Sequence, residues 1–533
     1  MTNEDRYSPT PETYERSEAL ALSLVERCRD LINELDAFRA LLEKTQRNPQ
    51  LVEIRSLRSN VVSELRTLEK VSGQIRALAD AAVAAAADGE EEGQEVEPRL
   101  MHALRSTNLP FYETVWQIAR RSCTGLVAFG KRFYWDGDGD GVVEDEGKKR
   151  PNKDKRKSVF VDIVADDGLE WVKVSTISET RLLFEMAKKG WEADSDAESG
   201  EERTVLRNFD DDGGSDDEDE DEIELVKLAS DMRKAANRTR VRYRHPRLRL
   251  VIPKIEEGES REIDDLLKVL RNYDITVECG ESALSSRVGG NDDDATTATA
   301  EGHLHHLLPA PFKSFTSTLN VDCTLLLALV SDVSHFKNIE PSPEYHRAII
   351  RQLEFERERP LLATELWPAM EGHDLVCTDE ATRRMREIVN TIGTETEKRR
   401  TEILFGDTPS ESRGTKSVIQ EFQELSDYEI PPQLTMPVKT VKAKSLIDSA
   451  IEQGKLPPVF QKVAEVLSNI NHSVFFYGWV TGMTTISSNR TVVKQIETII
   501  EQHRNGDEDL EGPQVWVCDT ARSLIGKEKG RKS

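Results

Sequence analysis

The sequence predicts an α/β protein in two parts: a helical and α/β region over about 12–285 and, beyond a linker at 286–310, an α/β domain over 311–533. Three observations predict it. From 311 onward, short apolar runs of strand length alternate with amphipathic helical stretches, the pattern of a layered α/β fold. Upstream, "LRLVIPKI", "EIDDLLKVLRNY" and "DITVEC" read as one strand-helix-strand unit. Between the two parts, residues 285–301 are rich in Gly, Asp, Thr and Ala, which supply no apolar face to bury.

The first elements are helical. "ALALSLVERCRDLINELDAFRALLEK" sets Leu24, Cys28, Leu31, Leu35 and Phe38 at steps of three and four, a single stripe on a helix. A second helix, over about 50–87, ends in "ALADAAVAAAADG", and the two form an antiparallel hairpin. Such a hairpin packs as a bundle or, alternatively, offers a coiled-coil surface to a protein partner. "RLMHALRSTNLPFYETVWQIARRSC" continues as helix, and "GLVAFGKRFYW" opens the strands. In "KSVFVDIVADDGLEWVKVST", Val159, Val161 and Ile163 alternate, and the Asp-Gly pair before Trp171 signals a hairpin.

The connection "DGDGDGVVEDEG", 136–147, imitates a calcium loop. Asp136, Asp138 and Asp140 alternate before Gly141, but the twelfth position, where calcium needs a bidentate glutamate, is Gly147, with Glu146 one residue short. No calcium is expected there. Followed by "KKRPNKDKRK", the stretch 136–157 reads as a solvated insert, with a basic half that resembles a nuclear signal.

The chain carries a net charge of −26. Residues 192–222 hold 16 acidic residues against two basic ones, so this tract supplies more than half of the excess. It repels itself and is expected to be disordered. A second flexible insert is expected at about 407–437. Six cysteines lie far apart with no C-x-x-C pair, as in a reducing compartment. The polar start "MTNEDRYSPTPE" is not a secretion signal, and "CTLLLALV" is too short to span a bilayer. The expectation is an intracellular protein, of nucleus or cytoplasm, without membrane contact.

Three segments can carry chemistry. In "STLNVDCTLLLALVSDV" a strand ends at Asp322 and a helix begins near Thr324. Asp322 either faces the ligand site at the strand end or caps the helix. "HDLVCTDEATRRMREIVNTIG" feeds a strand into a helix bearing Glu380 and Glu387 on one face, with Arg383 and Arg384 between them to form ion pairs. "GWVTGMTTISSNRTVVKQIETII" repeats the pattern with Asn489 at the strand end.

These segments, together with "VDIVADDGLEWVKVS", resemble a eukaryotic family of unknown function with a PIN-like, nuclease-fold domain at its C-terminus. The resemblance implies a three-layer parallel sheet whose end gathers carboxylates around Mg²⁺ or Mn²⁺ for phosphodiester hydrolysis. Asp322 would be the first acid, and Glu380 or Glu387 the second, as catalytic groups. Asp322, Glu380 and Asn489 would be the metal ligands. Asn489 stands where nucleases of the fold place aspartate, which removes a ligand and a charge. Asp519, in "WVCDTARSL", is the available substitute. The reading is therefore a divergent metal-dependent ribonuclease or a degenerate relative that binds RNA without cutting it.

"RKAANRTRVRYRHPRLRL" is the basic segment. Arg238, Arg240, Arg242 and Arg244 at strand spacing would line one face, with Arg247 and Arg249 beyond, to neutralise RNA phosphates; the alternative is pairing with carboxylates. The histidines of "HLHH" (His303, His305 and His306) lack partners at metal spacing. Phosphate-loop, dinucleotide, serine-hydrolase and zinc-protease motifs are missing from the sequence. The rival to RNA-directed function is an interaction scaffold, recruiting protein partners through the helical hairpin and the acidic tract.

Overall fold

A computed structural model describes residues 11–45, 52–88, 96–136, 156–189, 222–285, 302–407, 415–518 and 520–526. The chain divides into two compact units, Met1–Val241 with His245–Ala310, and Arg242–Arg244 with Pro311–Ser533. Among the described residues no helix is long and apolar enough to cross a membrane. The six cysteines are free thiols.

In the first unit, α1 (Pro11–Thr45) and α2 (Arg55–Asp88) form the hairpin. The stripe Leu24, Cys28, Leu31, Leu35 and Phe38 is buried along its whole length. Ion pairs Arg29–Glu69 and Arg58–Asp36 set the helices antiparallel, since the later residue of one helix meets the earlier residue of the other. Then follow α3 (Val96–Arg105) and α4 (Leu109–Ser122). The sheet comprises β1 (Ala128–Asp136), β2 (Arg156–Ala165), β3 (Glu170–Val174), β4 (Arg247–Ile252) and β5 (Ile275–Cys279), side by side in that order. β1, β2 and β3 pair antiparallel, whereas β3, β4 and β5 are parallel. The crossover from β3 to β4 carries α5 (Glu179–Lys188) and α6 (Glu224–Asn237), and that from β4 to β5 carries α7 (Arg261–Asn272).

Strand alternation sends side chains to two cores. Val172, Val174 and Val251 pack with α1, α2 and α4, while Trp171, Leu250 and Ile252 pack with α5, α6 and α7. The sheet is thus covered on both faces. The hairpin turn runs through Asp166 and Asp167, both at positive φ, a conformation aspartate tolerates better than most residues.

Four expectations change here. The two charged inserts lie largely outside the described residues, but β1 reaches Asp136 and β2 begins at Arg156, so the strands extend into the first of them. The second half of the linker belongs to the first unit: Gly302–Leu307 forms a helical turn that buries Leu304 and Leu307, and its carbonyls accept from Gly125 and Leu126. The arginine stretch is not a strand before Arg247. Arg238 terminates α6, and Arg242 and Tyr243 both take positive φ, so the residues form a turn and share no face. The stretch expected to be flexible at 407–437 is folded where it is described. Thr415–Gln423 is helical, and Phe422, Ile430, Leu434 and Met436 are buried.

The second unit opens with β6 (Thr318–Val321) and α8 (Cys323–Val330). Next come α9 (Arg347–Glu358), β7 (Asp374–Thr378), α10 (Asp379–Ile392), α11 (Glu395–Phe405) and α12 (Thr415–Gln423). The remainder is β8 (Lys439–Val441), α13 (Ala443–Glu452), α14 (Phe460–Val466), α15 (Asn469–Thr481), β9 (Thr484–Ser487), α16 (Arg490–Gln502) and β10 (Val515–Val517). All five strands are parallel, in the order β10-β9-β6-β7-β8. Leu319, Val321 and Cys377 face one core with α8, α10 and α11, and Val376 faces the other with α13, α15 and α16.

One close approach holds α15 on the sheet. A Cβ on Gly478 would stand 2.1 Å from Thr485 Oγ1, the atom that accepts a hydrogen bond from buried Asn320. Gly478→Ala is therefore expected to destabilise the second unit by about 1–3 kcal/mol through overpacking. A denaturant midpoint equal to wild type would show that α15 shifts freely.

Candidate functional site

In the order β10-β9-β6-β7-β8, the chain proceeds outward from β6 in one direction and then reverses to build β9 on its other side. Ligand crevices of open α/β sheets form at such a reversal, outside the carboxyl ends of the strands. Here that point lies between the ends of β6 and β9, and both strands deliver polar residues to it.

Asp322 follows β6 directly and is 2% exposed. Its Oδ2 accepts from Ser487 Oγ at 2.6 Å and from Thr324 Oγ1 at 2.8 Å. Those hydroxyls in turn accept from backbone: Asn489 N–H to Ser487 at 3.0 Å and Ser488 N–H to Thr324 at 3.4 Å. Asp322 is thus the inner anchor of the loop that joins β9 to α16. Burial pushes its carboxyl above the usual aspartate range, against the opposing hydrogen bonds from Ser487 and Thr324. Cys323, beside it, is no nucleophile: burial, reinforced by the Asp322 charge, pushes its thiol up to about 12.

Asn489 caps α16, its side-chain oxygen accepting from Val492 N–H at 3.4 Å. Glu380 lies in the first turn of α10 and accepts from Ser473 Oγ at 2.7 Å. Adjacent Asp379 accepts from Ala443 N–H at 3.2 Å. Burial opposes ionisation of Asp379, yet interaction with the Glu380 side chain and the hydrogen bond from the Ala443 amide carry it below the ordinary aspartate value. Glu387 is exposed and pairs with Arg384 at 3.3 Å.

The donor set fits Mg²⁺ or Mn²⁺ poorly. Among the described residues no three of His, Cys, Asp and Glu gather in a group able to hold a metal ion. The atoms that meet Asp322 Oδ2 are neutral hydroxyls, whereas a hard divalent ion wants several carboxylate oxygens. Asp519 lies outside the described residues.

The same edge is flanked by positive charge. Arg383 and Arg384 follow β7, Lys442 and Lys444 follow β8, and Arg490 follows β9; all five are exposed. Helices α8, α10, α13 and α16 all begin there, and their macrodipoles add to that field.

The arginine stretch is dispersed. Arg247 pairs with Asp166 at 2.9 Å, Arg244 with Glu511 at 2.6 Å, and Arg242 donates to Ser314 Oγ at 3.0 Å. Arg249 is 7% exposed, wedged between Glu170 at 3.5 Å and Glu278 at 3.4 Å, so its charge is spent inside the fold. Arg238 is exposed and Arg240 half-buried. His305 and His306 lie in the helical turn that closes the first unit.

Sequence reading assigned no part in the site to Thr324, Ser487, Ser473 or Asp379. Ser487 is 165 residues from Asp322, and nothing local marks it as that residue's partner. It also missed a buried charge network around Asp332 and Arg400.

Residues 319–418, from β6 into α12, match a family model described as a protein of unknown function (DUF1308). No curated protein and no solved structure matches the chain.

Proposed function

We propose that the second unit is a PIN-like domain that binds RNA along the carboxyl edge of its sheet without hydrolysing it. The observation that carries this reading is the chain reversal between β6 and β9, flanked by Arg383, Arg384, Lys442, Lys444 and Arg490. A parallel five-stranded sheet covered by helices on both faces, with Asp322 at a strand end, supports the PIN-like assignment. The absence of hydrolysis is inferred from what surrounds Asp322. Its carboxylate is engaged by two hydroxyls that hold a loop, and a two-metal reaction needs carboxylates on both ions. Phosphates then meet the exposed arginines and lysines beside the half-buried carboxylates Asp379 and Glu380, which gives affinity with little sequence preference.

Polarisation titrations of a labelled single-stranded RNA with the full chain test this. Affinity is expected to fall steeply with salt. The triple variant Arg383→Glu, Lys442→Glu, Arg490→Glu is expected to bind at least about tenfold more weakly, with a salt slope shallower by about two, at roughly 0.7 for each phosphate left without its cation. A flat salt response, or wild-type affinity in the variant, overturns the binding site. With Mn²⁺ added, the RNA is expected to stay intact. A Mn²⁺-dependent product that Asp322→Asn abolishes overturns the non-hydrolytic half.

A further inference from the structure

The first unit has a cavity of its own, of about 590 Å³, outside the carboxyl ends of the parallel strands β3 and β4. We infer that it binds a nucleoside phosphate. Three kinds of wall converge on that ligand class.

The first wall is cationic. Lys173, Arg181 and Lys254 all line the cavity, and Glu224 is the one carboxylate among the lining residues. Lys173 is held in an ion pair. Its Nζ lies 3.2 Å from Asp162, a carboxylate 4% exposed that also accepts from Val174 N–H at 2.8 Å. That buried acid fixes the ammonium at the end of a strand, where it cannot swing into solvent. Arg181 and Lys254 are exposed, and no hydrogen bond or ion pair from either side-chain cation is found among the described residues. Two uncommitted cations and one anchored cation around a single concavity suit a multiply charged anion.

The second wall is the connection from β3 to α5, which contributes Ser175, Thr176 and Ser178, the hydroxyls of Ser175 and Ser178 accepting from Ile177 N–H and Arg181 N–H. It leaves the sheet where ligands of α/β folds collect. The third wall is apolar, made of Phe111, Ile177, Leu225 and Leu228. Inorganic phosphate would leave that wall against water. A ligand with a flat organic part beside its phosphates covers it, and the volume lies within the range of small-molecule sites, about 300–1,000 Å³. Charge at one side and an apolar shelf at the other describe a nucleotide.

Calorimetric titration of the full chain with ADP, GDP, CDP and UDP, and with adenosine and inorganic phosphate as controls, tests the inference. At least one diphosphate is expected to bind saturably below about 1 mM, with its nucleoside and inorganic phosphate at least about tenfold weaker. Lys254→Glu and Arg181→Glu change exposed side chains and should leave the far-ultraviolet circular dichroism unchanged. Each is expected to weaken that diphosphate at least about tenfold. No saturable heat from any of the four overturns the site. So does unchanged affinity in both variants, and inorganic phosphate binding as tightly as the nucleotide overturns the nucleoside part. Both substitutions lie in the first unit, so this outcome is independent of RNA binding at the second.

Discussion

Asp332→Ala should cost the second unit about 3–5 kcal/mol, the expected result of leaving a buried guanidinium without its counter-ion. Arg400 is 0% exposed and its Nη1 lies 2.6 Å from Asp332 Oδ1. The remaining donors go to carbonyls: Nη1 to Val330 at 3.0 Å, and Nε to Leu425 at 3.0 Å. Asp332 also accepts from Thr394 at 2.6 Å and Thr396 at 2.7 Å, so one carboxylate joins the end of α8 to the start of α11. Burial draws the Arg400 pKa below its ordinary value while Asp332 resists. Remove Asp332, and desolvation is opposed only by the charges of Glu397 and Asp427, neither of which is hydrogen-bonded to the guanidinium among the described residues. His335 cannot stand in as a charged partner of Asp332, because burial holds its pKa down at about 3 and its ring nitrogens engage Ser426 and Leu329.

A second variant separates charge from packing. Asp332→Ala with Arg400→Met should recover much of the loss, because an apolar side chain of similar length needs no counter-ion. The measurement is denaturant unfolding of the full chain, followed through separate transitions for its two units. A single-variant loss below about 1 kcal/mol would mean that water reaches Arg400 and the network is not dry.

What was legible in the sequence follows the range of the interactions concerned. The α1 stripe, the β2–β3 hairpin and the β4-α7-β5 unit each declare themselves within a few residues, through periodicity or a turn pair. Asp322 was legible as a strand-end residue for the same reason. Its partners were not, since Ser487 is an ordinary serine until the fold brings β9 beside β6. The arginine stretch misled because every second residue from Arg238 to Arg244 is arginine, with Thr239, Val241 and Tyr243 between them, which is the period of a strand. Two successive positive φ values, at Arg242 and Tyr243, break the run. Residues 424–437 show no period at all, and yet Ile430, Leu434 and Met436 are buried, anchored singly in an irregular path. Composition reports the solvation of such a segment and says nothing of three separate anchors.

Asp322 itself should give the second large effect, and a pair of substitutions reads its role. Asp322→Ala strips the acceptor from the buried hydroxyl of Ser487, which costs about 1–3 kcal/mol, and from the half-buried hydroxyl of Thr324, which costs less. Asp322→Asn keeps an oxygen where both hydroxyls already meet, since each donates to Oδ2, and so should retain most of the stability. The two substitutions also separate in pH. Because burial raises the Asp322 carboxyl in the folded protein, folding is favoured when that group is protonated. Its contribution is fully present below the unfolded aspartate value and is lost as pH rises through the raised folded value. Asparagine carries no proton to lose. The stability of Asp322→Asn relative to wild type should therefore climb across that window and level off above it. Asp162, Glu356 and Glu397 are also buried and raised, but they occur in both proteins and cancel in the difference. A difference that is flat with pH would mean that the Asp322 carboxylate is solvated, open to the crevice, and free to meet a cation after all.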